Sequence, residues 1–497
     1  MNKTAGISPF LDSKTAIFPF DTAYFGNSAI LKKVFLWVGL VLVVLLMVES
    51  SAFGANHYVR QGATGSANGS DWTNACTDFT GSCAVSSMVR GDTYYVADGS
   101  YASRDFDRAV SGTSVITIKK ATIADHGTDT GWSSAYGDGQ AIFSGGVVGF
   151  RTSYWVFNGQ TRNESDWYDR ASYGFRVSAN ATGDHNVAVT GNNVTVSYVY
   201  APGVPNTADM SGFNAGSSPV VSGVIFSRVY AQYGNQHFWP RGSTGTIFEY
   251  CASSDGRSTS DSHGNIVNLY GLYGSPADYT IVRYCRFKDN FYPGGYSGSP
   301  FYSGTSVVST AGVNGAEVYG NLFEGNCNGD GTIGWNGSVA DHYVTNMKIY
   351  NNTFVPPTSA QCPNGGGALG IALNDAGSSG NVAYNNLFVT TGSVTLSPSN
   401  STFTHDYSGF LGSNAYGESH AQTNIPTSIF TNYSGRIFSL ASATTAGITL
   451  SPPYNTDILG NTRGAVGVWD RGAYEFPNGN PPPPVAIPNP PSNLQVQ

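Results

Sequence analysis

A short sequence line recurs down the second half of the chain, once every few dozen residues. Its clearest copies are IVRYCRF at 281–287, EVYGNLF at 317–323, KIYNNTF at 348–354 and VAYNNLF at 382–388. A drifting period of about 20–40 residues indicates stacked structural units whose insertions are absorbed in loops. Because the units are short, rich in β-branched and aromatic residues and punctuated by Gly and Asn, they favour coils of a β-helix over helical repeats.

The repeat carries an Asn between its two predicted strands. Asn321, Asn352 and Asn386 share this position, and Asn tolerates the left-handed backbone geometry of a tight turn. Stacked on successive coils, these residues can form a ladder of side-chain amides. Cys251 and Cys285 occupy the same column on earlier coils. Strands about 4.7–4.9 Å apart permit a disulfide between them, and two buried free thiols are the alternative.

Composition supports an all-β chain with many tight turns. The chain contains 62 Gly, and only 11% of its residues are charged, against about 25% in ordinary globular chains. The formal net charge of −8 argues against binding nucleic acid through charge. The length allows two or three average domains, but a solenoid of this length can be one domain.

The N-terminal region resembles a targeting segment. Lys32 and Lys33 precede an apolar run at 34–48, which small residues follow. This pattern predicts a cleaved secretory signal within an N-terminal extension at 1–55. The alternative is an uncleaved membrane anchor, although the run is shorter than the roughly 20 residues of a comfortable span. We therefore expect a secreted or cell-surface protein, membrane-bound only if the segment remains.

Six cysteines in an exported chain suggest disulfides. Pairing of nearest neighbours would join Cys76 to Cys83 and Cys327 to Cys362. None of the six has the CxxC spacing of a zinc site.

The rest of the chain divides by its regularity. We expect a cap and first coils at 56–160, regular coils at 161–400, terminal coils at 401–476 and a disordered Pro-rich tail at 477–497.

Three stretches carry a resemblance to a known group. They are HYVRQGATGSANGSDW with GDTYYVADGSY near the predicted mature start, the NNTF and NNLF repeats, and the ending RGAYEF. The chain resembles the secreted bacterial right-handed parallel β-helix proteins of the pectate-lyase-like superfamily, although Arg471 stands where Ile is usual in that ending. The resemblance implies a right-handed parallel β-helix over most of 56–476. It leaves the reaction open, since the superfamily includes lyases, hydrolases, esterases, epimerases and non-catalytic proteins.

The catalytic patterns of the best-known members are missing. The SHGN sequence at 262–265 only partly resembles the GHG of polygalacturonase-like hydrolases, and there is no DD pair or RIK. The WIDH-like segment of the best-known pectate lyases is absent too. Lysine bases are limited in supply after residue 55, to Lys119, Lys120, Lys288 and Lys348.

The best constellation of reactive residues lies between two predicted coils. The segment at 253–271 contains Asp255, Arg257, Asp261 and His263. The coil before it contributes His237, Trp239 and Arg241, the same segment ends near Tyr270, and later coils contribute Asp330 and Trp335. The predicted strands of this sheet stack side by side, so neighbouring residues can share one groove. These strands lie near 236–240, 264–269, 305–310, 331–336 and 368–374.

β-Elimination from a uronate needs a base and a positive charge beside the carboxyl group. His263 or a Tyr could serve as the base, an Arg base or a Tyr and His pair is the alternative, and His237 is a further catalytic candidate. Arg257 or Arg241 would neutralise the uronate. The side chains of Trp239, Tyr270 and Trp335 would stack on sugar rings.

A calcium ion could be held by Asp255, Asp261 and Asp330, since Ca²⁺ prefers oxygen ligands. Hydrolysis would instead use two of these Asp residues as a carboxylate pair. Each residue also has an ordinary structural explanation. Asp in a Gly-rich loop commonly forms turns, His237 can be a packed strand residue, and alternation can place Trp335 inside.

We therefore predict a monomeric, polysaccharide-engaging β-helix, with a lyase acting on acidic polysaccharide as the enzymatic hypothesis. The alternatives are a non-catalytic glycan-binding or structural surface protein and a glycoside hydrolase that uses paired Asp.

Overall fold

The computed structural model describes most of the chain after residue 53. The described ranges are 54–178, 185–204, 212–216, 220–234, 236–256, 265–270, 277–290, 308–326, 332–335, 343–359, 369–373, 377–397 and 403–476, with backbone alone at 270, 289, 290, 308–311, 326 and 335. The predicted signal at 34–48 and the Pro-rich tail at 477–497 lie outside these ranges. Within the ranges, no helix is long and apolar enough to cross a membrane.

Three long sheets run along the molecule, and their strands follow one another in a repeating order A, B, C. Sheet A consists of Asn56–Val59, Thr93–Val96, Ile116–Lys120, Trp155–Asn158, Val194–Ser197, Ile225–Ser227, Ile247–Glu249, Ile281–Arg283, Glu317–Tyr319, Lys348–Tyr350, Asn381–Tyr384 and Phe403–Asp406. Sheet B consists of Gly99–Ala102, Ala141–Ser144, Phe175–Val177, Val199–Pro202, Tyr230–Gln232, Ala252–Ser254, Arg286–Asn290, Leu322–Asn326, Thr353–Val355, Leu387–Phe388 and Gly409–Phe410. Sheet C consists of Asp105–Phe106, Val148–Phe150, Val187–Val189, Phe213–Ala215, Phe238–Trp239, Val267–Tyr270, Val308–Ala311, Ile333–Trp335, Leu369–Ala372 and Val394–Ser397.

Each strand pairs in parallel with the equivalent strand of the next coil, as in Glu317–Tyr319 with Lys348–Tyr350. This arrangement is a parallel β-helix, as the repeat predicted. Short parallel pairs also form at two corners, and one antiparallel hairpin lies near the C-terminal end. These minor strands are Val221–Ser222 with Ser243–Thr244, Val313–Asn314 with Val344–Thr345, and Phe430–Asn432 with Ile437–Leu440. Single turns of 3-10 helix occur at Gly81–Cys83, Val85–Ser87, Ser134–Tyr136, Arg170–Ser172 and Thr427–Ile429.

The Phe of the sequence repeat forms a continuous stack inside the helix. Phe287, Phe323, Phe354, Phe388 and Phe410 are buried, and successive ring centroids lie 4.9–5.3 Å apart with nearly parallel planes. A buried Phe contributes about 1.5–3 kcal/mol, and an aromatic pair adds about 0.5–1.5 kcal/mol. The recurrence of Phe along the sequence is therefore the recurrence of one core position in space.

The predicted amide ladder is present, but it occupies a different position from the left-handed turn. Asn321, Asn352 and Asn386 are buried and bond from coil to coil. The left-handed residue is the one before each of them, for example Asn351 with φ 53° and Asn385 with φ 57°. The assignment of left-handed geometry to the ladder residues was therefore wrong. The side chain that bonds along the stack and the backbone that makes the turn belong to adjacent residues.

The ladder continues upstream through Cys251 and Cys285, which are both buried free thiols. The backbone N–H of Cys251 donates to the Cys285 sulfur at 3.4 Å, and the N–H of Cys285 donates to the Asn321 side chain at 2.9 Å. The thiol alternative is thus the observed one. The predicted disulfide between Cys76 and Cys83 is confirmed.

The second predicted bridge, between Cys327 and Cys362, falls outside the described residues.

Residues 411–476, here called the C-terminal strap, pack back onto much earlier coils. The backbone N–H of Ala473 donates to the Thr353 hydroxyl at 2.8 Å, and the Tyr454 hydroxyl donates to Glu317 at 2.9 Å. The strap also buries Arg471. Its guanidinium donates to the carbonyl oxygens of Ser408, Thr445 and Ala446, so this departure from the usual ending has a structural use.

Candidate functional site

Two of the predicted groove residues, Trp239 and Arg241, lie at the outer face of sheet C. Phe213 and Phe238 face the core, so alternation places the following residues, Asn214 and Trp239, on the outer face. Asn214 and Trp239 are directly paired between neighbouring strands. On the next strand, Val267 pairs with Phe238, which places Asn268 beside Trp239.

The side chain of Arg241 lies over Trp239. The central guanidinium carbon is 5.0 Å from the centre of the Trp239 ring, a separation at which a cation is attracted to an aromatic face. Arg241 is exposed, and its side chain makes no ion pair or hydrogen bond within the described parts of the chain. The stacking therefore orients a guanidinium whose hydrogen-bond donors are available to a ligand.

A glycine on the preceding coil permits this position of Arg241. A side-chain carbon at Gly216 would come within 1.7 Å of the Arg241 carbonyl oxygen, and φ at Gly216 is 130°. Both the contact and the backbone angle require glycine. The loop after strand Phe213–Ala215 can thus approach the Arg241 backbone closely.

Two buried polar atoms on this side of the coil have no hydrogen-bond partner among the residues that the structure describes. One is the Trp239 Nε1 donor and the other is the Asn268 Oδ1 acceptor, and Asn268 as a whole is only 4% exposed. Leaving such a group unpaired costs about 1–3 kcal/mol. Both atoms are shielded from solvent, so they lie beneath the outer face and not at its surface.

His237, one of the predicted catalytic residues, is completely buried. Its Nδ1 lies 2.6 Å from the Ser253 hydroxyl, and its Nε2 lies 2.9 Å from the Tyr233 carbonyl oxygen. Burial lowers the pKa of His237 to about 4, so the ring is neutral at neutral pH. A base must reach its substrate with a free nitrogen, and His237 has none. These contacts give His237 a packing role, and its catalytic role stays a prediction without support from this geometry.

Asp255 takes part in a structural network at the corner between sheets B and C. Its Oδ2 accepts hydrogen bonds from Gln232 Nε2 at 2.8 Å and from the Ser254 hydroxyl at 2.9 Å. Its backbone has φ 55°, which Asp tolerates in turns. These partners supply a local reason for an Asp here that does not involve a metal.

Of the three predicted calcium ligands, the structure describes only Asp255. No cluster of three or more His, Cys, Asp or Glu side chains that could hold a metal ion occurs within the described residues. Asp255 already has two hydrogen-bond donors, and the two other predicted ligands, Asp261 and Asp330, lie outside the described ranges. Calcium binding by these three Asp residues stays a prediction.

The remaining predicted site residues lie wholly or partly outside the description. Arg257 and His263 fall in the segment 257–264, between strands Ala252–Ser254 and Val267–Tyr270. The backbones of Tyr270 and Trp335 lie in sheet C.

The structure adds Asn214 and Asn268 to the site. A sequence signal for Asn268 existed, because it lies between the apolar residues Val267 and Leu269 in a strand that alternates inward and outward. Asn214 lies similarly between Phe213 and Ala215. Neither Asn is titratable, so a search for acids and bases passes over both.

The chain was compared with protein-family models, curated proteins and solved structures, and the solved structures identify its fold. No protein-family model matches the chain, and no curated protein matches it. Among solved structures, the chain is similar to the pectate lyase Pel9A, with a TM-score of 0.53 at 13% identity, over 85% of this chain and 98% of that chain. The chain therefore has a pectate-lyase-like right-handed parallel β-helix fold.

Two further structures align with lower scores. The PL6 family polysaccharide lyase Pedsa3628 from Pseudopedobacter saltans has a TM-score of 0.33 at 11% identity, over 68% of this chain and 90% of that chain. The PL6 family alginate lyase AlyGC has a TM-score of 0.26 at 12% identity, over 68% of this chain and 51% of that chain. The likeness that bears on the fold is the one to the pectate lyase.

Proposed function

We propose that this protein binds an acidic polysaccharide across the outer face of sheet C and cleaves it by β-elimination. The observation that carries the proposal is the exposed guanidinium of Arg241, held over Trp239 without an anionic partner among the described residues. A guanidinium binds a carboxylate through paired, charge-assisted hydrogen bonds. The acidic class of substrate follows from this charge.

The neighbouring polar residues border the Arg241 guanidinium. Asn214 pairs with Trp239 on one side, and Asn268 lies on the next strand on the other side. Trp239 Nε1 and Asn268 Oδ1 are buried, so the exposed Arg241 is the group among these that offers hydrogen bonds to a carboxylate at the surface.

In β-elimination, a base removes the proton beside the carboxyl group and the glycosidic oxygen leaves, so that a double bond forms in the product. Negative charge builds on the uronate carboxylate as the proton leaves, and Arg241 would stabilise it. His263 remains our proposal for the base, with Arg257 as a second cation. The likeness to a pectate lyase supports this reaction class through the fold alone.

A non-catalytic glycan-binding protein is the second candidate. A specific observation favours it: His237 and Asp255, the two described residues proposed for acid–base or metal chemistry, are both engaged by structural hydrogen bonds. Binding by Trp239 and Arg241 does not require either of them. The two candidates therefore share a binding face and differ in whether a base is present.

Product analysis separates the candidates. The protein is incubated with uronic-acid polysaccharides and with a neutral glucan, and the products are weighed by mass spectrometry. Oligosaccharides lighter by one water than hydrolysis products, lost in His263→Ala, support the lyase. Full-weight products would move the assignment to a hydrolase with paired Asp. Saturable binding without any product supports the glycan-binding alternative.

A further inference from the structure

The loop at 161–173 covers part of the outer face of sheet B, on a different side of the coil from sheet C. Trp167 is buried there, and the Tyr173 hydroxyl donates to its carbonyl oxygen at 2.7 Å. The Tyr168 hydroxyl donates to the carbonyl oxygen of Arg286 at 3.2 Å. The loop thereby attaches to the strand Arg286–Asn290.

Cations gather under this loop. The guanidinium carbons of Arg162 and Arg286 lie 4.0 and 4.1 Å from the centre of the Trp167 ring. The ammonium nitrogen of Lys288 lies 3.8 Å from the centre of the Tyr168 ring. Aromatic faces attract cations but do not neutralise them. The packing therefore holds several positive charges close together.

The acidic residues nearby are committed to other partners. Glu164 pairs with Arg162 at 2.8 Å and with Arg228 at 3.4 Å. Glu324, beside Lys288 on the next strand, pairs with Arg436 at 3.6 Å. Asp166 and Asp169 accept backbone N–H groups of their own loop.

Arg286 and Lys288 are left without an anion. Neither side chain makes an ion pair or a hydrogen bond within the described parts of the chain, and the Arg286 Nε is buried without a partner. Phe287 between them faces the core, so both cations lie on the same outer face, about 6.6–6.8 Å apart along the strand. The chain as a whole has a net charge of −8, so these two cations form a region of positive charge on a negatively charged protein.

We infer that Arg286 and Lys288 form a second binding site on sheet B, which takes the carboxylates of an acidic polysaccharide. The site is selective for charge, since Tyr168 and Trp167 already use their ring faces on cations and offer none to a sugar. The identity of the ligand rests on the proposed function. A polymer held on sheets B and C at once would dissociate more slowly than from either face alone.

The test is calorimetric titration of the full chain with oligogalacturonate, oligomannuronate and a neutral glucan. Three variants are compared: Arg286→Gln/Lys288→Gln on sheet B, Trp239→Ala/Arg241→Ala on sheet C, and Lys348→Gln as a control. Lys348 is a partly exposed lysine with its own partner, Glu317 at 2.8 Å. We expect a uronate site to survive in the sheet C variant and to weaken about tenfold or more in the sheet B variant. The control should match the wild type.

Three results would overturn the inference. One is wild-type stoichiometry and affinity in the sheet B variant, and another is equal binding of the neutral glucan at this site. The third is loss of binding in the charge-preserving variant Arg286→Lys/Lys288→Arg, since that would trace the effect to loop packing. A different result would count against the proposed function and leave this inference standing. In that result, the sheet C variant binds uronate like the wild type, and the sheet B variant loses binding.

Discussion

The side-chain oxygen of Asn352 accepts two hydrogen bonds from Asn321 on the preceding coil, one from its backbone nitrogen and one from Nδ2, both at 3.0 Å. The Asn352 amide in turn donates to the Val318 carbonyl oxygen at 2.8 Å. Asn352→Ala removes these three bonds and a fourth, from Asn352 Nδ2 to the Asn386 side-chain oxygen at 3.1 Å, and leaves buried polar groups unpaired. We expect the free energy of unfolding to fall on the order of 3–5 kcal/mol, measured by denaturant titration.

The control for this loss is Asn414→Ala. Asn414 is exposed, and its side chain accepts one local bond from the Tyr416 nitrogen at 2.9 Å. Asn414→Ala should lower the free energy of unfolding by less than about 1 kcal/mol. Similar losses in both variants would show that the ladder position is not special.

The thiols of Cys251 and Cys285 should resist modification until the protein unfolds. Both are completely buried, and burial raises the pKa of the Cys285 thiol, which disfavours the reactive thiolate. Alkylation of the native protein followed by peptide mapping should find both cysteines unlabelled, whereas alkylation in denaturant should label both. Recovery of a peptide pair joined through these two residues would contradict the structure.

Arg241→Ala should weaken uronate binding about tenfold through loss of charge-assisted hydrogen bonds, and it should leave binding of neutral glycans unchanged. Arg241→Lys keeps the charge but loses the planar stack on Trp239. Its affinity for uronate should therefore lie between those of the wild type and Arg241→Ala. Arg151→Ala is the matched control. Arg151 belongs to the same face but is paired with Asp105 at 2.8 Å. Equal effects of Arg151→Ala and Arg241→Ala in calorimetry would remove Arg241 from the site.

Glu475 should make stability depend on pH near neutrality. Burial raises the pKa of Glu475 from 4.5 to about 7, even though Arg463 lies 3.5 Å away. The folded protein then holds a proton that the unfolded chain has released, so stability is lost as pH rises through this range. The difference corresponds to about 3 kcal/mol.

Thermal unfolding of the wild type and of Glu475→Gln, from about pH 5 to pH 8, checks this sign. The wild type should lose stability relative to the variant as pH rises. His237 acts in the opposite direction, because burial lowers its pKa from 6.5 to about 4, but it does so equally in both proteins and drops out of the comparison. A constant difference across the range would mean that Glu475 titrates normally.

The coils could be predicted because each one repeats the same local pattern. Phe354 and Phe388 recur at the same place in the sequence line and meet in space at 4.9 Å. The ladder was predictable for the same reason. Assigning the left-handed turn to Asn352 failed because Asn351 beside it is also Asn, and two equal neighbours give no signal for which makes the turn.

The site was less predictable because the partners of its side chains belong to other coils. Trp239 and Arg241 follow from alternation along one strand. The role of His237 depends on Ser253, and that of Asp255 on Gln232, and both partners are contributed by a different coil. Local sequence reports which side chains are reactive, but it does not report which neighbours already satisfy them.

The C-terminal strap changes how this coil stack should come apart. In most solenoids each coil contacts only its neighbours, so the ends can fray at little cost. Here Ala473 bonds to Thr353 across 120 positions, and Tyr284 bonds to Thr456 across 172. Loss of the last coils therefore also breaks contacts in the middle of the stack, so equilibrium unfolding should be one cooperative transition instead of gradual melting from the C-terminal end.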